Sequence, residues 1–355
     1  VKVLFMFYIP SGGIETLNRQ RCKALMDAGI TCHLLYFRPG SGMQNVYNIP
    51  TFIMDQDEAM QKLLQEQQYD AIIISSAYEY MERLRSLGYG GLLFWEVQGY
   101  ALREEALFAF SNAQPIVARC GNGVLYPKTP YIMKLAEQFF PPEQRFCFHN
   151  CMNFADFGYV SLPKEPRPVL GWVGRIEANK NWQDFLKIGS KLRETCPNLQ
   201  LWMFEDPSLS TAQERRLFTR MVQELNLEHH VTMHMNISHA EMPKYYSRIG
   251  DSGGLLCSTS KLEGFGYAVL EAMACRCPVL ATESEGISSF LLPDQTGKVY
   301  PHGNIGEAAR MANMIMTDQG LRRRLSDQAL QHVQSLFSPA QYSQNFINML
   351  NSSSA

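Results

Sequence analysis

Apolar residues fall along this chain in short unbroken runs rather than in strict alternation. In the first half the runs are VKVLFMFY (1–8), ITCHLLYF (30–37), YDAIIIS (69–75), GLLFW (91–95), QPIVAR (114–119) and RFCF (145–148). In the second half they are VLGWVG (169–174), LQLWMF (199–204), HVTMHM from His230, GGLLC (253–257), CPVLA (277–281) and TGKVY (296–300). Continuous runs of this length, rich in β-branched and aromatic residues, predict strands buried on both faces, as in parallel sheets covered by helices. Between them the apolar spacing turns helical. ETLNRQRCKALMDAG carries Leu17, Cys22, Leu25 and Met26 and stops at Gly29, and NWQDFLKIGSKLRE carries Trp182, Phe185, Leu186, Ile188 and Leu192 on one stripe. Strand–helix alternation in both halves predicts two doubly wound α/β domains.

The stretch FGYVSLPKEPRPV (157–169) holds three prolines and mixed charge, and it follows the last strand of the first half. It sets the expected division at residues 1–160 and 161–335. Residues 336–355 then form a last segment, an amphipathic helix from Pro339 to Leu350 with a frayed SSSA tail. A length of 355 residues suits two domains, and 46% hydrophobic with 19% charged residues excludes wholesale disorder. A net charge of -2 provides no global positive field, so nucleic acid is not an expected partner. No apolar run approaches the roughly 18 residues of a membrane span, and VKVLFMFYIP runs directly into a glycine turn, as a first buried strand does and a signal peptide does not. The nine cysteines are odd in number and form no CxxC pair, which points to reduced thiols in the cytoplasm. Cys147, His149 and Cys151 alternate as zinc ligands on one strand face would, but they lack a fourth ligand, so a strand end followed by a loop is expected.

Three stretches at strand ends carry candidate chemistry. IPSGGIETL turns at Gly12 and Gly13 and opens a helix, whose first N–H groups can hold an anion or a sugar hydroxyl; it is not GxGxxG, so the dinucleotide fingerprint fails. GWVGRIEANKNW places Arg175 and Lys180 on one short loop, a fork and a point charge suited to a diphosphate. EGFGYAVLE (263–271) sets Glu263 in a loop and Glu271 on the helix after it, with the peptide groups of Phe265 to Ala268 between them. An anion cradle with a carboxylate on either side matches a nucleotide sugar, whose diphosphate lies between two sets of vicinal hydroxyls. A glycosidase pair is less natural here, because such carboxylates flank a bond across a cleft.

These residues carry a resemblance. EGFGYAVLEAMACRCPV resembles the E-x7-E element of retaining glycosyltransferases of family 4, with Arg276 where the family usually has Gly. GWVGRIEANKNW resembles its G-R-x(4)-K element, GGIE its N-terminal glycine loop, and HNCMNFADF its interdomain turn with Asn150 kept. The resemblance implies the GT-B fold: two Rossmann-like domains facing a cleft, with the C-terminal helix crossing back to the first. It implies transfer of a sugar from a nucleotide donor to an acceptor hydroxyl with retention, uridine being the family's commonest base. Arg175 and Lys180 would neutralise the leaving diphosphate, and Glu271 would take the ribose hydroxyls. Glu263 with Gly264, Phe265 and Gly266 would hold the donor sugar, Tyr267 and Ala268 would face phosphate, and Gly12 and Gly13 would close the pocket. These enzymes typically need no metal and no cofactor.

Gln98, in FWEVQGY, stands where many members carry a histidine near the transferred sugar; an amide can bond a hydroxyl but cannot shuttle a proton. That substitution motivates an alternative, a non-catalytic nucleotide-sugar-binding partner of another glycosyltransferase; an epimerase is a third reading. The acceptor is a carbohydrate, a lipid-linked group or a small molecule. Many relatives work at the inner leaflet, which leaves weak membrane association open, although the first half is close to neutral and has no basic run.

Overall fold

In the computed structural model, which describes residues 1–45, 48–100 and 102–354, the chain forms two units. One is Val1–Asn153 with Phe337–Ala355, the other Phe154–Leu336. The first unit runs β1 (Lys2–Phe7), α1 (Gly12–Asp27), β2 (Thr31–Tyr36), β3 (Thr51–Ile53), α2 (Asp57–Gln67), β4 (Ala71–Ser75), α3 (Tyr80–Ser86), β5 (Leu92–Glu96), α4 (Arg103–Cys120), β6 (Gly123–Tyr126), α5 (Pro130–Phe139) and β7 (Arg145–Cys147). The second runs β8 (Val169–Val173), α6 (Trp182–Arg193), β9 (Gln200–Glu205), α7 (Ala212–Glu224), β10 (Val231–Met235), α8 (Met242–Asp251), β11 (Leu255–Ser258), α9 (Tyr267–Ala274), β12 (Val279–Thr282), α10 (Glu285–Ser288), β13 (Lys298–Tyr300), α11 (Ile305–Thr317) and α12 (Gln319–Leu336). α13 (Pro339–Ser354) then returns to the first unit.

The sheet orders are β3-β2-β1-β4-β5-β6-β7 and β10-β9-β8-β11-β12-β13, with parallel pairing throughout. Both are doubly wound orders that reverse at one point, between β1 and β4 and between β8 and β11. These are the two Rossmann-like units of the GT-B fold. The core explains the sequence pattern: Ala71 to Ile74 and Leu93 to Trp95 are fully buried, with helices covering both faces. α13 buries Tyr342, Phe346, Met349 and Leu350 with Val3, Phe5 and Leu25, and the Ser343 hydroxyl donates to the Ala24 carbonyl at 2.8 Å.

Two expectations are corrected. QPIVAR is not a strand but the end of α4, in which Ala106, Ala109, Phe110, Ala113 and Val117 are buried at helical spacing. Pro115 faces solvent, where water can satisfy the carbonyl whose helical bond it removes. The strand is the next segment, GVLY, β6, and the short edge strand β3 has too few residues to stand out. The SSSA tail is not frayed, because α13 continues through Ser354; Ala355 lies outside the described residues. Among the described residues no helix is long and apolar enough to cross a membrane.

Candidate active site

The switch point of the second sheet lies between β8 and β11, and the loops that leave these two strands are joined as one piece. The Thr259 hydroxyl lies 3.0 Å from the carbonyls of both Lys180 and Asn181 and accepts from the Trp172 indole N–H at 3.1 Å. Asn179 donates through Nδ2 to the Leu262 carbonyl at 3.1 Å. Its Oδ1 accepts the Leu262 N–H at 3.2 Å, and its carbonyl accepts the Lys261 N–H at 2.8 Å. This double seam brings together two residues 83 apart in sequence: Lys180 Nζ lies 2.6 Å from Glu263 Oε1. The Ser260 hydroxyl donates to the same oxygen at 2.6 Å. Both charges stay in reach of solvent, with side-chain exposures of 20% and 14%.

Two glycines shape the loop around Glu263. Gly266 takes φ +91° and ψ 51°, a left-handed conformation that a side chain resists, and α9 begins at the next residue, Tyr267. The first turn of α9, including Tyr267 and Ala268, therefore starts beside Glu263, and its dipole favours negative charge there. The Phe265 ring is buried on Tyr267 and Phe290, at centroid distances of 4.9 and 5.3 Å, so this side chain anchors the loop. Gly286, in α10, presses on the same loop. Its N–H donates to the Glu263 carbonyl at 3.1 Å, and a Cβ there would sit 2.3 Å from that oxygen and 2.6 Å from the Gly264 carbonyl carbon. Gly286→Ala must displace the peptide of Gly264. We expect a loss of about 1–3 kcal/mol in unfolding free energy. An unfolding free energy equal to that of the wild type in urea titration would contradict this.

Glu271 is buried on α9. Its Oε1 is 3.1 Å from His239 Nε2, and its Oε2 accepts the Tyr246 hydroxyl at 2.8 Å. Burial and the Glu271 charge push the Tyr246 phenol well up, so it remains a protonated donor. Arg175 lies on the same loop as Lys180, is about half exposed, and pairs with Glu177 at 2.9 Å. Arg276 takes φ +57° just past α9, so the family's usual glycine is replaced at a left-handed position. β9 ends in Glu205, whose buried carboxylate is held by both terminal nitrogens of Arg215 at 2.5 and 2.6 Å.

The remaining candidates lie on the first unit. Gly12 opens α1 with φ +68°, Gly13 comes next in its first turn, and Glu15 is spent on Arg19. Gln98 is tied down: its amide nitrogen donates to Glu96 at 3.1 Å and to Asn150 at 3.3 Å, while Asn150 donates back to its oxygen at 2.7 Å. Glu96 points inward, to the fully buried Arg21 and to Ser75. Burial works against the Arg21 charge, but the Glu96 carboxylate outweighs it and holds the guanidinium protonated. His149 packs on the ring of Phe337, and among the described residues no His, Cys, Asp or Glu group is arranged to hold a metal ion.

The structure thus assembles Lys180, Glu263 and the Gly264–Gly266 turn, with Glu271 on the adjoining helix. Sequence reasoning missed Asn179, Thr259, Ser260, His239, Tyr246 and Gly286. Only Ser260, three residues before Glu263 in a polar loop, left a local trace; the others act across long sequence separations.

Residues 159–332 match the family described as glycosyl transferases group 1. Among curated relatives, the alpha-D-kanosaminyltransferase of Streptomyces kanamyceticus is 26% identical over 165 residues, covering 46% of this chain and 40% of that protein. A GDP-mannose-dependent alpha-(1-6)-phosphatidylinositol monomannoside mannosyltransferase of Mycolicibacterium smegmatis is 30% identical over 157 residues, covering 43% and 39%. The chain therefore spans well under half the length of these curated relatives. Among solved structures, Anabaena HepE in complex with UDP and glucose superposes with a TM-score of 0.82 at 17% identity over 99% of each chain, a likeness of fold.

Proposed function

We propose, from the premise that the second unit belongs to the glycosyl transferases group 1 family, that this chain moves a sugar from a nucleoside-diphosphate donor to an acceptor hydroxyl. One observation carries the reading: Lys180 and Glu263 are 2.6 Å apart in two joined loops at a switch point, beside the start of α9. A cation, a carboxylate and a helix N-terminus together match the diphosphate and the adjoining hydroxyls of one ligand.

In this mechanism the acceptor oxygen bonds the anomeric carbon as the bond to the diphosphate breaks, and the acceptor proton passes to the leaving phosphate on the same face. Retention results from that same-face path. Lys180, Arg175 and the first turn of α9 stabilise the charge that develops on the leaving group, so no metal is required. Glu263 and the Gly264–Gly266 turn hold the donor sugar, and Glu271 takes the ribose. Uridine is the favoured base, the one in the HepE complex; the GDP-mannose-dependent relative makes guanine the competitor. The acceptor is a carbohydrate, a lipid-linked group or a small molecule, and the reaction is cytoplasmic. The engaged amide of Gln98, which carries no proton to transfer, favours a second reading as a non-catalytic nucleotide-sugar-binding subunit.

The test is titration with UDP, GDP and ADP in the presence of a chelator, then nucleoside-diphosphate release with and without an acceptor panel and proton NMR of the product anomer. Binding with acceptor-dependent release and a retained anomer supports the transferase. Binding without release supports the subunit reading, and no binding refutes both.

A further inference from the structure

Glu271 does not sit in its site as a free carboxylate. Its side chain is 8% exposed and each oxygen accepts one bond from a different place in the chain, Oε1 from His239 before α8 and Oε2 from Tyr246 within α8. The two donors are themselves fixed. Phe157 is buried with its ring 4.5 Å from His239 and 6.2 Å from Tyr246, and Tyr246 is fully buried. The segment carrying Phe157 is held in turn, because the Cys275 thiol meets the Gly158 carbonyl at 3.4 Å and the Val160 N–H donates to Ser247 at 2.9 Å.

An ionised carboxylate has about four lone-pair sites on its two oxygens. Two are taken, one on each oxygen, so one remains on each. A glutamate free to rotate spreads its oxygens over many rotamers and loses that freedom on binding. This one is set before ligand arrives, with one acceptor site per oxygen, the number that two neighbouring hydroxyls need.

We propose that His239 and Tyr246 are positioning residues that present Glu271 to the vicinal 2′- and 3′-hydroxyls of a ribose, and so make the site select ribonucleotides over 2′-deoxyribonucleotides. The inference rests on the donor-site reading above. Without the brace the carboxylate still carries its charge but no longer holds both acceptor sites in register. The hydroxyl contribution falls while the diphosphate contribution, made by Lys180 and its loop, stays.

The experiment measures binding of UDP, GDP and ADP, then of the 2′-deoxy form of whichever binds, to wild type, Tyr246→Phe and His239→Gln. Wild type is expected to prefer the ribonucleotide by about tenfold or more, the effect of roughly 1.4 kcal/mol. Either substitution should weaken the ribonucleotide severalfold and the deoxy form, which has only its 3′-hydroxyl contact to lose, by distinctly less, and so erase most of the preference. Equal weakening of both forms, or no change in either, would overturn the proposal, since a merely structural role moves both together. The same holds if wild type binds both forms equally. Absence of all nucleotide binding by wild type removes the donor-site reading itself and this inference with it. If Tyr246→Phe fails to fold, as judged by its thermal transition, His239→Gln carries the same comparison.

Discussion

Lys180→Ala is expected to lower kcat by about 10²–10³-fold, the range for removing one preorganised charge or donor from a transition state. The nitrogen lies 2.6 Å from Glu263 in a loop fixed by Asn179 and Thr259, so it is held in place before any ligand arrives. In that state Glu263 balances its charge. A diphosphate would compete for Lys180, and the competition strengthens as the leaving group gains charge, so the loss belongs mainly in kcat rather than KM. Removing Lys180 also leaves Glu263 facing an anion with no cation between them. Glu263→Gln on top of Lys180→Ala should therefore recover part of the lost nucleotide affinity, although not the turnover. Stability should change by only about 0–1 kcal/mol, because both groups remain partly in water. Steady-state kinetics with the donor decide the matter: a kcat within about threefold of wild type would remove Lys180 from the reaction.

Lys180 and Glu263 are legible in the sequence and their supports are not, because the two kinds of residue are placed differently. Each charged residue sits in a short motif just past a buried run, and a parallel sheet brings such ends together at the point where strand order reverses. Buried runs show themselves through composition alone, which is why β8, β9, β11 and β12 stand out; β10 and β13, at the sheet edges, are only partly buried, and there the apolar run alone marks the strand. The supports act across the fold instead. Asn179 bonds residue 262, and Tyr246 bonds residue 271 from another helix. Nothing local in ISHAEMPKYY marks His239 or Tyr246 as partners of a glutamate. Gly286 is required only because the Glu263 and Gly264 backbone passes within 3 Å of where its Cβ would lie. The misread QPIVAR has β-branched residues that suit either element, and the wider spacing from Ala106 to Val117 decides for the helix. Gln98 was legible as a departure from the family, but its reciprocal pairing with Asn150 was not, since the two are 52 residues apart.

Beneath Gln98 lies the largest expected effect on stability. Arg21 and Glu96 are 0% and 1% exposed in their side chains and form an ion pair inside the first unit, with Ser75 and Gln98 also donating to the Glu96 carboxylate. Glu96→Ala removes one charge and leaves the other in the core, where burial disfavours it. Arg21 then keeps its bond to Asn18, at 2.5 Å, the neighbouring Tyr342 hydroxyl and the face of Phe5, 4.0 Å from the guanidinium carbon, none of them a countercharge. Breaking such a pair from one side costs about 3–5 kcal/mol, mostly the penalty of the stranded charge. Removing both charges is a different experiment. In Arg21→Met with Glu96→Leu no ion remains to desolvate, and the methionine sulfur can pack against Phe5. The double variant should therefore return to within about 1–2 kcal/mol of wild type. Urea unfolding monitored on the first unit's own transition provides the comparison. If Glu96→Ala loses less than about 1 kcal/mol, or if the double variant is no more stable than the single, the pair is not the buried, coupled element its geometry indicates.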